Sequence, residues 1–145
     1  MTREIKFRAK IVMDIEPLAM KKGYWVEGYY YEDLQDGEWC SWIKECNDIT
    51  HYKVDKNTLG QFTGLLDKNG DEICEGDVLA YTKYDRTKIL LVEYKYGAFG
   101  YTYIDEFHAL SGNPNFSFGT FGADADFEIV GNIHDSPELL KGGAE

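Results

Sequence analysis

The feature that most limits the fold is the spacing of apolar residues, which recur at every second position and almost nowhere at helical spacing. In EIKFRAKIV, Ile5, Phe7, Ala9 and Ile11 fall on one face of an extended chain and Lys6, Arg8 and Lys10 on the other, the signature of a half-buried strand. The stretch YWVEGYYYE repeats the alternation with rings on both sides, placing Trp25, Tyr29 and Tyr31 on one face and Tyr24, Val26 and Tyr30 on the other. Eleven Tyr, eight Phe and three Trp raise the aromatic share to 15%, and aromatic side chains favour strands. The alternation therefore predicts a mainly β protein.

Turn chemistry orders these strands. Asp36-Gly37 separates YWVEGYYYE from EWCSWIKEC, so residues 24 to 46 read as an aromatic hairpin. HYKV at 51 to 54 is a short strand candidate, and VDKNTLGQF reads as a polar connector with room for one helical turn near Asp55. From residue 61 short strands recur between Gly-rich turns: Asp77 to Lys83, Lys88 to Tyr96, a turn at Gly97, Phe99 to Ile104, and Phe127 to Ile133. Such a set suits a small SH3-like antiparallel barrel, because closure removes edges that a small sheet cannot otherwise cover. The expected division is an N-terminal β region over 1–60 and a small barrel over 61–145, or one intertwined domain. Residues 111 to 126 read as an irregular loop with a Phe-rich segment docked on the barrel. Ser136-Pro137-Glu138 resembles an N-cap with proline in the first helical position, which predicts one short C-terminal helical turn.

Charge narrows the functional classes. With 15 basic and 26 acidic residues the net charge is −11, which repels nucleic acid and anionic membranes unless a local patch overrides it. No run reaches the roughly 18 apolar residues of a membrane span, and the charged start MTREIKFR lacks the apolar core of a signal peptide. The expectation is a cytoplasmic protein with no membrane partner. Cys40, Cys46 and Cys74 cannot all pair within the chain, so they read as free thiols in a reducing compartment.

DKNGDEICEGD, residues 67 to 77, offers Asp67, Asn69 and Asp71 at the alternate positions of a calcium loop. Counted from Asp67, the sixth position is Glu72 where glycine is required, and the twelfth is Val78 where a bidentate Glu belongs. Asn69-Gly70 instead predicts a hairpin with a type I′ turn. Cys40, Cys46, Cys74 and His51 lack the short knuckle spacing of a zinc site. His51, His108 and His134 stand apart from any nucleophile motif, and Gly97-Ala98-Phe99-Gly100 lacks the lysine and helix of a phosphate loop. No catalytic residue, metal ligand or cofactor is assigned, and the expectation is a protein that is not an enzyme. The side chains singled out are Trp25, Tyr29, Tyr31 and Trp39, a candidate interaction surface among Glu27, Glu32, Asp33, Asp36 and Glu38. A protein partner, a second copy included, suits this acidic setting. Single-stranded nucleic acid stacked on the tyrosines is the alternative, and a metal-dependent hydrolase using the acids of Asp71 to Asp77 the remotest.

REIKFRA, GQFTGLLDKNGDEICEGDVL, VEYKYGAFGY and FEIVGNIHDSPELL, in that order, resemble the YopX family of phage and prophage proteins. The resemblance runs from Arg3 to Leu140 and is least marked between Ala19 and Tyr52. It departs at Lys10, where the family often has a Trp after the Ala. It implies a mainly β protein encoded by a bacteriophage or prophage and acting in the bacterial cytoplasm. It supplies no catalytic residue, because the family has no established activity.

Overall fold

The computed structural model describes residues 5–83, 86–95, 98–104 and 127–138. The readings of a turn at Gly97, a loop over 111 to 126, His108 and the helical residues beyond Glu138 lie outside these. Strands dominate, as the alternation requires: β1 (Phe7–Ile11), β2 (Trp25–Gln35), β3 (Glu38–Lys44), β4 (His51–Leu66), β5 (Glu72–Cys74), β6 (Asp77–Lys83), β7 (Arg86–Lys95), β8 (Ala98–Tyr103) and β9 (Phe127–Asn132). A short 3-10 turn, Glu16–Leu18, carries Pro17 in its second position and closes at Ala19 in the left-handed region. Residues 137 and 138, after Ser136, are also in 3-10 conformation. The chain divides into two compact units, Met1–Phe62 and Thr63–Glu145.

In the first unit β1, β2, β3 and β4 form a closed ring, for β4 also pairs with β1. A mainly β chain with a small closed barrel is what the alternation predicts, but the position differs. The sequence reading puts closure after residue 60; among the described residues the closed four-strand ring is the N-terminal one. Of the described strands of the second unit, β5 pairs with β4, and the other four run β8-β7-β6-β9 without a ladder joining the ends among the described residues. The ring forms because β2 is long enough to serve two neighbours and β4 three, which a count of short strands does not reveal.

β2 changes neighbour at Gly28. Trp25 to Gly28 pair with β1, and Tyr29 to Gln35 pair with β3. A Cβ at Gly28 would stand 2.0 Å from the Lys44 carbonyl oxygen, so only a bare α-carbon permits the approach. β4 solves the same problem with a bulge. Between the Lys10↔Asp55 and Arg8↔Gly60 pairs β1 advances two residues while β4 advances five. Thr58 staples the extruded loop: its hydroxyl donates to the Asp55 carbonyl at 2.7 Å and accepts the Lys10 N–H at 2.9 Å. The Asp55 carboxylate accepts Asn57 N–H at 2.9 Å. VDKNTLGQF is therefore no connector or helical turn but the bulged middle of a continuous strand.

Each unit carries its own core. Ala9, Ile11, Val26, Ile43, Tyr52 and Val54 fill the ring, and the inward face of EIKFRAKIV is the one its alternation predicts. Ile73, Leu79, Leu90, Val92, Tyr101 and Phe127 form the second core. Arg8 and Lys10 on the outer face of β1 lie over the Trp25 ring at 4.8 and 5.3 Å.

Replacing Gly28 with alanine should destabilise the ring by about 3 kcal/mol or more, the upper range of overpacking, because the obstacle is backbone and cannot rotate away. Urea unfolding followed by tryptophan fluorescence measures this; an unchanged midpoint would refute the assigned close approach.

Candidate functional site

Residues 67 to 77 use their side chains on the backbone. Asp67 is only 6% exposed. One carboxylate oxygen, Oδ1, accepts the N–H groups of Asn69 and Asp71, both at 2.9 Å, and Oδ2 accepts Ile129 N–H of β9 at 3.1 Å. Lys68 N–H donates to the Phe127 carbonyl at 2.8 Å, and its ammonium lies 3.5 Å from Glu128. Gly70 N–H closes a turn onto the Asp67 carbonyl, with Gly70 at φ 86°. Asn69 is not in the positive-φ region, so the expected type I′ turn is replaced by a turn of four residues ending in a left-handed glycine. The reason is Asp67: its carboxylate gathers the two N–H groups that the loop turns inward. Burial drives the Asp67 pKa upward, but the Ile129, Asp71 and Asn69 N–H donors with Lys68 outweigh it and hold the carboxyl below its usual range.

The remainder of the stretch acts likewise. Asp77, 1% exposed, accepts Cys74 N–H at 2.8 Å through Oδ2. Gly76, at φ 93°, donates its N–H to the Val92 carbonyl and accepts Ile133 N–H. Just upstream, the buried Thr63 hydroxyl donates to the Ile73 carbonyl at 2.8 Å. Two of these acids, Asp67 and Asp77, thus accept backbone N–H groups within the second unit. Among the described residues no group of three or more His, Cys, Asp or Glu is placed to hold a metal ion. Cys40 and Cys74 are buried, Cys46 is half-buried, and all three are free thiols.

The four aromatic candidates do not form one surface. Asp36 and Gly37, both at positive φ, join β2 to β3 in the expected two-residue turn. Tyr29 and Tyr31 are on the outer face of β2, together with Trp25, which is half-buried beneath Arg8 and Lys10. Trp39 pairs across the ladder with Leu34, on the opposite face of the hairpin. Trp39 is 71% and Leu34 59% exposed. The last rungs, Asp33↔Cys40 to Gln35↔Glu38, lie beyond the Ser41↔Val54 pair at which β3 leaves its ladder with β4. The tip is consequently a two-stranded ribbon with apolar side chains at its end.

Two residues that the alternation did not single out complete the outer face. Trp42 lies nearly parallel to Tyr31, 10° between planes and 6.4 Å between centroids, and donates its indole N–H to Asp33 at 2.8 Å. His51 shares a 2.6 Å hydrogen bond with the Tyr31 hydroxyl through Nδ1. Trp42 faces Lys53, and Lys44 faces His51, across the β3–β4 ladder. The signal for this grouping lies in strand register, which sequence spacing alone does not fix.

The ring also borders a groove of about 580 Å³ beside the start of β2 and the β3–β4 connection. Tyr52 donates its hydroxyl to Glu45 Oε1 at 2.9 Å on its wall. Burial, the Glu45 hydrogen bond and the Glu45 and Asp48 charges push the Tyr52 pKa up to about 12.

Compared with known proteins, the family model described as YopX protein matches residues 6–141. No curated protein matches the chain. Among solved structures, protein EF1440 from Enterococcus faecalis is similar at 24% identity and a TM-score of 0.45, with 96% of this chain and 99% of that chain covered.

Two titrations test the local chemistry. Asp67→Asn should cost about 1–3 kcal/mol at neutral pH, since the amide cannot satisfy all three donors. A carboxyl with a depressed folded pKa stabilises fully above its unfolded value, about 3.9, and less as pH falls through the folded value, so the variant should lose part of the acid-side decline in urea stability. For Tyr52 the sign is opposite: its contribution is complete below about 10 and disappears as pH rises through the folded value. Absorbance titration should show one tyrosine ionising near 12, missing in Tyr52→Phe; no difference between the two curves would contradict the Tyr52–Glu45 bond.

Proposed function

This chain belongs to the YopX family, and on that premise we propose that it is a phage- or prophage-encoded accessory protein that works by protein contact rather than catalysis, in the bacterial cytoplasm. The observation that carries the reading is the exposed Leu34–Trp39 pair at the tip of the β2–β3 ribbon. Large aromatic residues are enriched at the centres of protein interfaces, and an isolated two-stranded ribbon is marginal until something covers it. The first partner proposed is a second copy, because an apolar ribbon end can meet its own symmetry mate without bringing the acidic flanks Asp33, Glu38 and Asp36 to the centre. Family context supports the phage origin. The use of the Asp67 and Asp77 carboxylates to hold backbone supports a role without catalysis.

Sedimentation velocity over a range of concentrations should show a dimer that Trp39→Ser with Leu34→Ser returns to monomer without lowering the melting temperature. A monomer at all concentrations that also captures no protein from infected host cells would refute the proposal.

A second reading has one observation in its favour. Tyr31 and Trp42 form a nearly parallel, stacked pair with Lys53 and Lys44 on the same face, an arrangement suited to stacking bases of single-stranded nucleic acid. Quenching of Trp42 fluorescence by oligothymidylate at low salt, relieved as salt rises, is its expected result. Unquenched fluorescence where screening is weakest would remove it.

A further inference from the structure

We infer that Asn69 is a modification site, at which the side-chain amide is lost by intramolecular deamidation through Gly70 at a rate that Asp67 controls. Asn69-Gly70 is the single Asn-Gly pair of the chain. Asparagine is a thermolabile residue, and a glycine after it leaves the attacking backbone nitrogen without a neighbouring side chain. Both residues are exposed, and a Cβ on Gly70 would meet nothing within 4 Å, so solvent reaches the pair. The other asparagines precede Asp48, Thr58, Pro114, Phe116 and Ile133, each of which carries a side chain beside the nitrogen that would attack.

The reaction needs only water. Gly70 N gives its proton to solvent base and bonds to Asn69 Cγ; the Cγ–Nδ2 bond breaks, and the nitrogen takes up a proton and leaves as ammonia. Water then opens the resulting cyclic imide at one of its two carbonyls. One opening leaves aspartate, and the other leaves isoaspartate, whose main chain runs through Cγ. No oxidant or reductant takes part.

The folded loop withholds the reacting atoms. Gly70 N–H is donated to the Asp67 carbonyl at 3.0 Å, so the nitrogen that must lose its proton is engaged. On either side the N–H groups of Asn69 and Asp71 are both held at 2.9 Å by Asp67 Oδ1. Three successive N–H groups tied to one residue keep the backbone in its turn, and attack on Cγ waits on local opening. The product cannot return to this state. Isoaspartate lengthens the main chain ahead of Gly70, which moves the Asp71 N–H away from Oδ1, and either acid adds a negative charge between Asp67 and Asp71. Because Asp67 Oδ2 also accepts Ile129 N–H, the loosened loop weakens the tie to β9. The site is thus a one-way record of how often the 67–71 loop has opened, independent of the contact proposed for the Leu34–Trp39 tip.

The test incubates the full chain at mildly alkaline pH and follows every asparagine by peptide mapping, with electron-transfer fragmentation to separate isoaspartate from aspartate. Asn69 should convert before any other asparagine and yield both acids. The free peptide LLDKNGDEI should convert about tenfold or more faster than the folded chain. Asp67→Asn should accelerate conversion at Asn69 about fivefold or more, because Oδ1 no longer gathers both N–H groups. Thr63→Ala, which removes the Thr63–Ile73 hydrogen bond outside the loop, should leave the rate at the wild-type value. In the wild-type chain, urea below the unfolding transition should raise Asn69 conversion and Gly70 amide hydrogen exchange in parallel. Another asparagine converting first, a folded chain converting as fast as the peptide, or equal rates in Asp67→Asn and wild type would overturn the inference.

Discussion

A ring of four strands closes only when some of its strands turn from one neighbour to the next, and the first unit depends on how β2 and β4 make that turn. At Gly28 the backbone of β2 approaches the Lys44 carbonyl more closely than any side chain permits. At Asp55 to Gly60 β4 extrudes residues that Thr58 ties to the Lys10 N–H. These two devices let the strands bend around a small core of Ala9, Ile11, Val26, Ile43, Tyr52 and Val54. They also set what lies outside it. The exchange of partners at Gly28 turns β2 onto β3, and the continuation of the β2–β3 ladder past Ser41 makes the projecting tip.

The second unit is organised by a different device. Asp67 gathers its own loop and reaches β9, while Asp77 holds the Cys74 N–H two turns of sequence later. The most recognisable phrase in the chain, GLLDKNGDEICEGD, is therefore a set of instructions for backbone geometry. A short acidic residue suits each position because its carboxylate only accepts hydrogen bonds and reaches N–H donors within its own turn.

Much of the fold is legible because period-two alternation reports burial directly. Ala9 and Ile11 are buried as their face predicts, and Asp36-Gly37 makes its turn because few other residues accept positive φ at both places. The site of closure is not legible. Gly28 looks like any glycine in an aromatic run until the Lys44 carbonyl is placed beside it. VDKNTLGQF has the composition of a loop, and only the pairing of its two ends with β1 makes it part of a strand. Trp39 and Trp25 looked equivalent as aromatic residues in one hairpin, yet register separates them to opposite faces and hides much of Trp25 beneath cations. The grouping of Trp42 and His51 with Tyr31 is illegible for the same reason, since it crosses strands rather than following the chain.

The claim that closure rests on the Thr58 staple is most directly tested by native-state hydrogen exchange at the Lys10 amide. In the wild-type protein this amide should be protected like those of the ring's core, despite its position opposite a bulge. Thr58→Ala should accelerate its exchange by about tenfold or more and Thr58→Ser should restore protection, because serine keeps the accepting oxygen. A Lys10 amide that exchanges freely in the folded protein, or one indifferent to Thr58→Ala, would contradict the account.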